Sequence, residues 1–284
     1  MGNILDRWHT ALAQQSPVAI VTALGGPQVG SKLLVTPEEH LGTMGNGDLD
    51  RAVIEAARGM LESGQTGMRH YGPHGQRRME DVTVFIQSFA PAPRMYVFGA
   101  IDFASAVARI GKFMGYRVTV CDARPIFATR ERFPSADEIV VAWPDEFLRT
   151  AAEVDARTVI CVLTHDPKFD VPVLKAALET PAGYIGAMGS RRTHNSRTAR
   201  LKEEGVSEEE LARISSPIGL DIGARTPEET AVAIAGEIIA LRTGHSGGRL
   251  SERSGPIHAP EPDVTHPLDA KPDAAEPAAR QTLR

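Results

Sequence analysis

The sequence predicts an α/β protein: a C-terminal parallel sheet with helices on both faces, plus a smaller N-terminal α+β domain. Three observations predict it. From residue 95 onward, short apolar runs alternate with stretches of helical periodicity, which implies crossover units. Those runs are apolar at consecutive positions, as strands covered on both faces require. Ahead of them a Pro-rich break, "APAPR" (90–94), closes off a segment of different rhythm.

The bulk numbers agree with such a protein. The chain has 284 residues, 42% hydrophobic and 24% charged, which suits one or two globular domains with a real core. A net charge of -5 argues against broad nucleic-acid binding. No apolar run reaches the ~20 residues of a membrane span, and the first fifteen residues lack the basic and apolar parts of a signal peptide. Cys121 and Cys161 stand far apart with no Cys-x-x-Cys, so neither zinc nor a disulfide framework is expected. A cytoplasmic protein is the expectation.

In chain order, "VAIVTAL" (18–24) reads as a buried strand and "KLLV" (32–35) as its hairpin partner across "GGPQVGS". A helix is expected over 47–64, with Leu49, Val53, Ala56, Ala57 and Met60 on one face. "DVTVFIQSF" (81–89) is the next strand. Beyond the break, strands are expected at 95–98, 117–121, 138–141, 158–163 and 183–185. Phe103, Val107, Ile110 and Met114 form one helix face that stops at Gly115. The last helix starts at Thr226 as N-cap, with Pro227 at the first position and Glu229 completing a capping box. Ile234, Ile238 and Leu241 are its expected buried face, and Gly244 its end. Residues 243–284 hold six prolines and few large apolar groups, the composition of a disordered tail. The expected domains are therefore 1–90, 91–242 and the tail 243–284.

Three loops at the expected carboxyl edge of the parallel sheet carry chemistry. "FGAIDFASA" places Gly99 and Ala104 where a dinucleotide fingerprint has its first and third small residues, but Ile101 replaces the middle glycine. Asp122, ending the next strand, stands where an acid would hold a ribose hydroxyl. This pattern points to a Rossmann-like domain more than to NAD(P) binding. Asp102 also reads simply as an acid favoured by the helix dipole. "THDPKFD" (164–170) puts His165 and Asp166 at the same edge; His165 reads either as a ligand contact or as a loop brace, and Asp170 as the N-cap of "VPVLKAAL". "GAMGSRR" follows the last expected strand. Gly186 and Gly189 would form a tight turn presenting N–H groups. Ser190 opens a helix, and Arg191 and Arg192 add forked donors for phosphate or carboxylate. The alternative is a solvated helix start. His194 and Arg197, one turn on, would join this site or face solvent.

These stretches together resemble the XdhC/CoxI family: "YIGAMGSRR", its spacing to "RISSPIGLDIGARTPEETAVAIAGEI", the run from "VFGAIDFASA" to "EIVVAWP", and "THDPKFDVPVL". The resemblance covers roughly residues 15 to 242. It implies a Rossmann-like C-terminal half and a small N-terminal domain. It further implies a non-enzymatic accessory protein, often dimeric, that binds molybdenum cofactor. Such proteins assist sulfuration of the cofactor and its insertion into an apo molybdenum hydroxylase of the xanthine dehydrogenase or CO dehydrogenase type, with a cysteine desulfurase as a further partner. On this resemblance the cofactor-binding residues are Gly99, Asp122, His165, Gly186, Gly189, Ser190, Arg191 and Arg192. The family's glycine-rich "GGC" has here become "GNGDLD" (45–50), with Asp48 where a cysteine is expected. A hard carboxylate replaces a soft thiolate there, and Asp48 reads as a helix-start acid rather than a metal contact. Two other readings stand beside this one: an NAD(P)-binding oxidoreductase, and a ligand-free docking module for the molybdoenzyme.

Overall fold

The computed structural model describes residues 4–77, 79–150, 153–164, 166–252 and 254. Residues Met1–Gly247 form one compact unit that contains both sheets. In the other unit, Gly248–Arg284, the described part holds a single 3-10 turn, Leu250–Glu252. Of the expected disordered tail, 243–284, Thr243 ends the last helix, and residues 253 and 255–284 lie outside the described residues.

The chain opens with helix α1 (Ile4–Ala13), then β1 (Val18–Gly25), β2 (Lys32–Val35) and β3 (His40–Gly42). Helix α2 (Gly47–Ser63) is followed by β4 (Gly67–Tyr71) and β5 (Val82–Phe89). These strands form an antiparallel sheet in the order β3-β2-β1-β5-β4. Its buried face, with Ala19, Val21, Leu33 and Val84, packs on Leu49, Val53, Ala57 and Met60 of α2. Asn46 caps α2 and Gly64 ends it in the left-handed conformation. Strands β3 and β4 were not expected from the sequence. Among the residues of these two edge strands only Tyr71 is buried, so they carry no apolar alternation to read.

After Phe89 the architecture changes. Strand β6 (Arg94–Phe98) leads to α3 (Asp102–Phe113), β7 (Arg117–Cys121), β8 (Glu138–Val140) and α4 (Pro144–Thr150). Then come β9 (Val159–Val162), α5 (Pro167–Leu178), β10 (Tyr184–Ala187), α6 (Arg191–Glu203), α7 (Glu208–Leu211), β11 (Ile214–Ser215) and α8 (Pro227–Thr243). All six strands are parallel, in the order β11-β10-β9-β6-β7-β8. The strands run both ways from β6 and β9, so the topological switch point of a Rossmann sheet lies between them. Alternate side chains serve opposite layers. Met95 and Val97 face α3 and α8, while Tyr96 and Phe98 face α4, α5 and α6. This is the expected α/β class with helices on both faces.

The start of α8 follows the sequence reading: Thr226 accepts from the Glu229 amide, Glu229 reciprocates, and Gly244 ends the helix at φ 68°. One expectation fails there. Ile234 and Ile238 are buried, but Leu241 is 55% exposed. No described helix is long and apolar enough to cross a membrane.

Candidate functional site

Two turns of the same kind, a strand, a glycine and a helix start, lie at the carboxyl edge of the parallel sheet. The first joins β6 to α3. Gly99 adopts φ 102°, which only glycine takes without strain. A Cβ there would stand 2.7 Å from Thr164 Cγ2 and 3.0 Å from its backbone nitrogen. The glycine is therefore required by the close approach of two strand ends. Ile101 is the N-cap of α3, makes no side-chain cap bond, and packs into the core. Asp122 is buried and its oxygens are taken. Oδ2 accepts from the Ala100 amide at 2.7 Å and from Arg124 Nη2 at 2.8 Å. Oδ1 accepts from the Arg124 amide and Nε, both at 2.9 Å. Burial alone would raise the Asp122 carboxyl. The Arg124 guanidinium and the two amides outweigh it and hold the group below the ordinary carboxylate value. A ribose hydroxyl would have to displace these donors.

The second turn joins β10 to α6. Here the sequence reading of Gly186 needs correction. Gly186 is a residue of β10, paired with Cys161 and Ser215, and not part of the turn. A Cβ on it would meet Ile218 Cδ1 at 2.5 Å and Tyr184 Cε1 at 2.7 Å. Its lack of a side chain seats Ile218 of the loop after β11, so "YIGAMG" and "SPIGLDIG" are two halves of one packing contact. The turn proper is Met188–Gly189–Ser190, with Gly189 at φ 148°. Ser190 caps α6, its Oγ accepting from the Thr193 amide at 3.2 Å. Helix geometry leaves the Arg191 and Arg192 amides without acceptors in the helix. Both arginine side chains are exposed, and neither has a carboxylate partner among the described residues.

Behind this turn lies a buried ion pair that sequence reasoning missed. Asp170 is not the N-cap of α5. That role belongs to Asp166, whose side chain accepts from the Lys168 amide, with Pro167 as first helical residue. Asp170 instead points inward at 2% exposure and binds Arg197 Nη2 at 2.7 Å. It also accepts from the Thr164 hydroxyl. Arg197, at 4% exposure, donates from Nη2 to the Met188 carbonyl at 2.7 Å and from Nη1 to Ser216 Oγ at 3.2 Å. One guanidinium thus ties the ends of β10 and β11 to α5, and Asp170 extends the link to Thr164 beyond β9. Arg197 does not face solvent; the partly buried His194 of the same helix lies beside it on a neighbouring cavity. A cavity of about 220 Å³ lies between α5 and α6, with Pro167 and Val171 on one side and Arg192, Ser196, Arg197 and Arg200 on the other. Ser196 and Arg200 were also overlooked. Their signal was present in the helix, because 192, 196 and 200 recur at four-residue spacing and share a face.

The structure therefore gathers Gly189, Ser190, Arg191 and Arg192 at one helix start. It sets Gly99 and Asp122 at the ends of β6 and β7, two and three strands away, or about 10 and 14 Å by strand spacing. His165 lies outside the described residues.

In the N-terminal sheet, Asp48 sits in the first turn of α2, exposed, and pairs with Arg51 at 2.9 Å. That is the geometry of a helix-start acid. Beside it a cavity of about 240 Å³ is lined by Met44, Gly45, Asn46 and His74, with Asn46 Nδ2 and His74 Nδ1 3.0 Å apart. No group of three or more His, Cys, Asp or Glu that could hold a metal occurs among the described residues. Both cysteines are buried and free, and burial pushes each thiol up to about 12.

Residues 95–238, just over half of the chain, match the XdhC Rossmann domain, and residues 11–72 match the XdhC and CoxI family. The chain belongs to the XdhC and CoxI family. Its XdhC Rossmann domain spans β6 through most of α8 and contains both turns. Three curated relatives are similar to it. One is the Escherichia coli protein YqeB, described as uncharacterized, 28% identical over 81% of this chain and 44% of its own length. Another is a probable subunit of a Bacillus subtilis xanthine dehydrogenase, 32% identical over 57% and 47%. The third is the Escherichia coli molybdenum cofactor insertion chaperone PaoD, 30% identical over 56% and 43%. The chain spans less than half the length of these relatives. A solved structure described as a xanthine dehydrogenase from Bacillus halodurans shares the fold, with a TM-score of 0.60 at 24% identity, covering 84% of this chain and 65% of that one.

Proposed function

We propose that this chain is a cytoplasmic accessory protein for a molybdenum hydroxylase of the xanthine dehydrogenase or CO dehydrogenase type. Its cargo is molybdenum cofactor, which it holds through sulfuration and passes to the apo-enzyme, without being an enzyme itself. Membership of the XdhC and CoxI family and similarity to a cofactor insertion chaperone support this reading. One structural observation carries the site: the open start of α6, where the Arg191 and Arg192 side chains have no carboxylate partner among the described residues. The Gly189 turn, Ser190 and these two arginines hold the phosphate of the pterin. Gly99, Asp122 and His165 shape the sheet edge beyond it. Residues 1–90 and 91–242 act as two domains of a homodimeric protein.

The chain's own thiols are too buried and too weakly acidic to carry sulfur as thiolates. The terminal sulfur therefore comes from a partner of the cysteine desulfurase type, while this chain binds and orients the cofactor. The filled carboxylate of Asp122 and the side chain of Ile101 weigh against an NAD(P)-dependent oxidoreductase.

Anaerobic incubation with free cofactor, gel filtration and assay of pterin and molybdenum in the protein peak test the reading. Near-stoichiometric pterin with molybdenum is expected. The double variant Arg191→Ala/Arg192→Ala should retain at least about tenfold less cofactor, the loss of one or two charged hydrogen bonds. Its folding should not change. Equal retention by the double variant would remove the site assignment. No retention by the wild-type chain would favour a ligand-free docking module for the molybdoenzyme.

A further inference from the structure

We propose that the cavity between α5 and α6 is a diphosphate-binding site, one helical turn inside the glycine turn. It rests on the proposed function only in that Arg192 serves both, and it adds residues and a ligand class that reading does not contain.

The charge pattern is the first argument. Arg192, Arg197 and Arg200 line the cavity, against a single acid, Asp170. Asp170 is already committed to Arg197. Arg192 and Arg200 have no acidic partner among the described residues, although acids lie close by in the fold. Asp166 caps α5, and Glu204 pairs with Lys175. Asp166, Glu203 and Glu204 line an adjoining, wider hollow that shares Pro167, Val171 and Arg200 with this cavity, without pairing to Arg200 among the described residues. Arg192 and Arg200 each leave a guanidinium fork free to engage an anion held between them.

The second argument is a buried donor. Arg197 is 4% exposed, and its Nε has no acceptor among the described residues. Its other two nitrogens make three bonds, so the orphan is the exception in a well-satisfied group. A buried unpaired N–H calls for an explanation. Arg197 lines the cavity, so a small shift of its guanidinium on anion binding would offer Nε to an oxyanion oxygen. Arg197 also borders a hollow with Leu201, Leu211 and Ile214, but that one carries Glu208 and no unpaired arginine, so it does not suit an anion.

The third argument is spacing. Arg192 and Arg200 stand eight residues apart, about 12 Å along the helix, with Ser196 midway. The long arms let two forks close from both ends while the serine hydroxyl donates between them. One phosphoryl group engages one fork well, whereas a diphosphate presents oxygens to both forks at once. The volume, about 220 Å³, admits it.

Calorimetric titration of the full chain with inorganic pyrophosphate, inorganic phosphate and sulfate at matched ionic strength is the test. Saturable one-to-one binding of pyrophosphate is expected, with phosphate and sulfate at least about tenfold weaker. Arg200→Ala and Arg192→Ala should each weaken pyrophosphate by about tenfold or more. Arg109→Ala, on α3 across the sheet, should not. Absence of saturable binding, equal affinity for all three anions, or unchanged affinity in Arg200→Ala would overturn the site. Because Arg200 is exposed, its variant folds. Cofactor loading measured beside pyrophosphate binding on the wild-type chain separates the two claims. Pyrophosphate binding without pterin retention leaves this site standing and removes the proposed cargo; retention without pyrophosphate binding does the reverse.

Discussion

The two glycine turns at the sheet edge share a topology and differ in what their charges do. At the β6–α3 turn every acceptor of Asp122 is met by the chain itself, and Gly99 lies against Thr164. At the β10–α6 turn Arg192 and Arg200 stand over a cavity without acids of their own. The first turn is a joint, and the second is the one we propose as a receptor. A strand, a glycine and a helix start do not by themselves make a ligand site; the unspent charge does. The contrast also explains why the fingerprint-like "FGAIDFASA" misleads. Its glycine serves the packing of two strand ends, and its acid braces the turn.

The largest test of this contrast lies behind the second turn. Arg197→Ala leaves Asp170 buried and uncompensated, which costs about 3–5 kcal/mol. Urea unfolding should show that loss, and a value under ~1 kcal/mol would mean that the receptor turn does not depend on its ion pair. Next comes Gly99→Ala, which puts a methyl group 2.7 Å from Thr164 Cγ2 at a positive φ. Strain of this kind costs about 1–3 kcal/mol, read as a lower thermal midpoint with no change in pyrophosphate affinity.

Asp122→Asn sharpens the joint side of the comparison. Its lost charged bonds should cost about 1–3 kcal/mol near neutral pH. The folded-state pKa of Asp122 is depressed, so its stabilisation is full above the unfolded carboxylate value and is lost as pH falls through the folded one. The gap between wild type and variant should therefore close below about pH 5. A gap that widens on acidification contradicts the arrangement. The smallest effect is Ser190→Ala, the removed cap of α6, at about 1 kcal/mol by denaturant titration.

How far the sequence reaches can be seen in single elements. The capping box of α8 was legible because Thr226 and Glu229 are three residues apart and satisfy each other locally. The core strands were legible because unbroken apolar runs fit a sheet covered on both faces, whereas β3, β4 and β11 are short edges that bury almost nothing. Asp170 was misread because a cap was the nearest local use for an acid, and Asp166 already filled it. Gly186 was misread because its neighbour Ile218 arrives from thirty-two positions away in the chain.

The sequence by itself determined the class of fold, its core strands and main helices, the family and the cationic start of α6, since each depends on periodicity, spacing or residue type along a short stretch. Only the tertiary structure decided which charges are spent. Whether Asp122, Arg197 or Arg192 finds a partner depends on crossovers that bring distant strand ends together; a buried charge that is met becomes a brace, whereas the exposed Arg192 keeps its fork unspent.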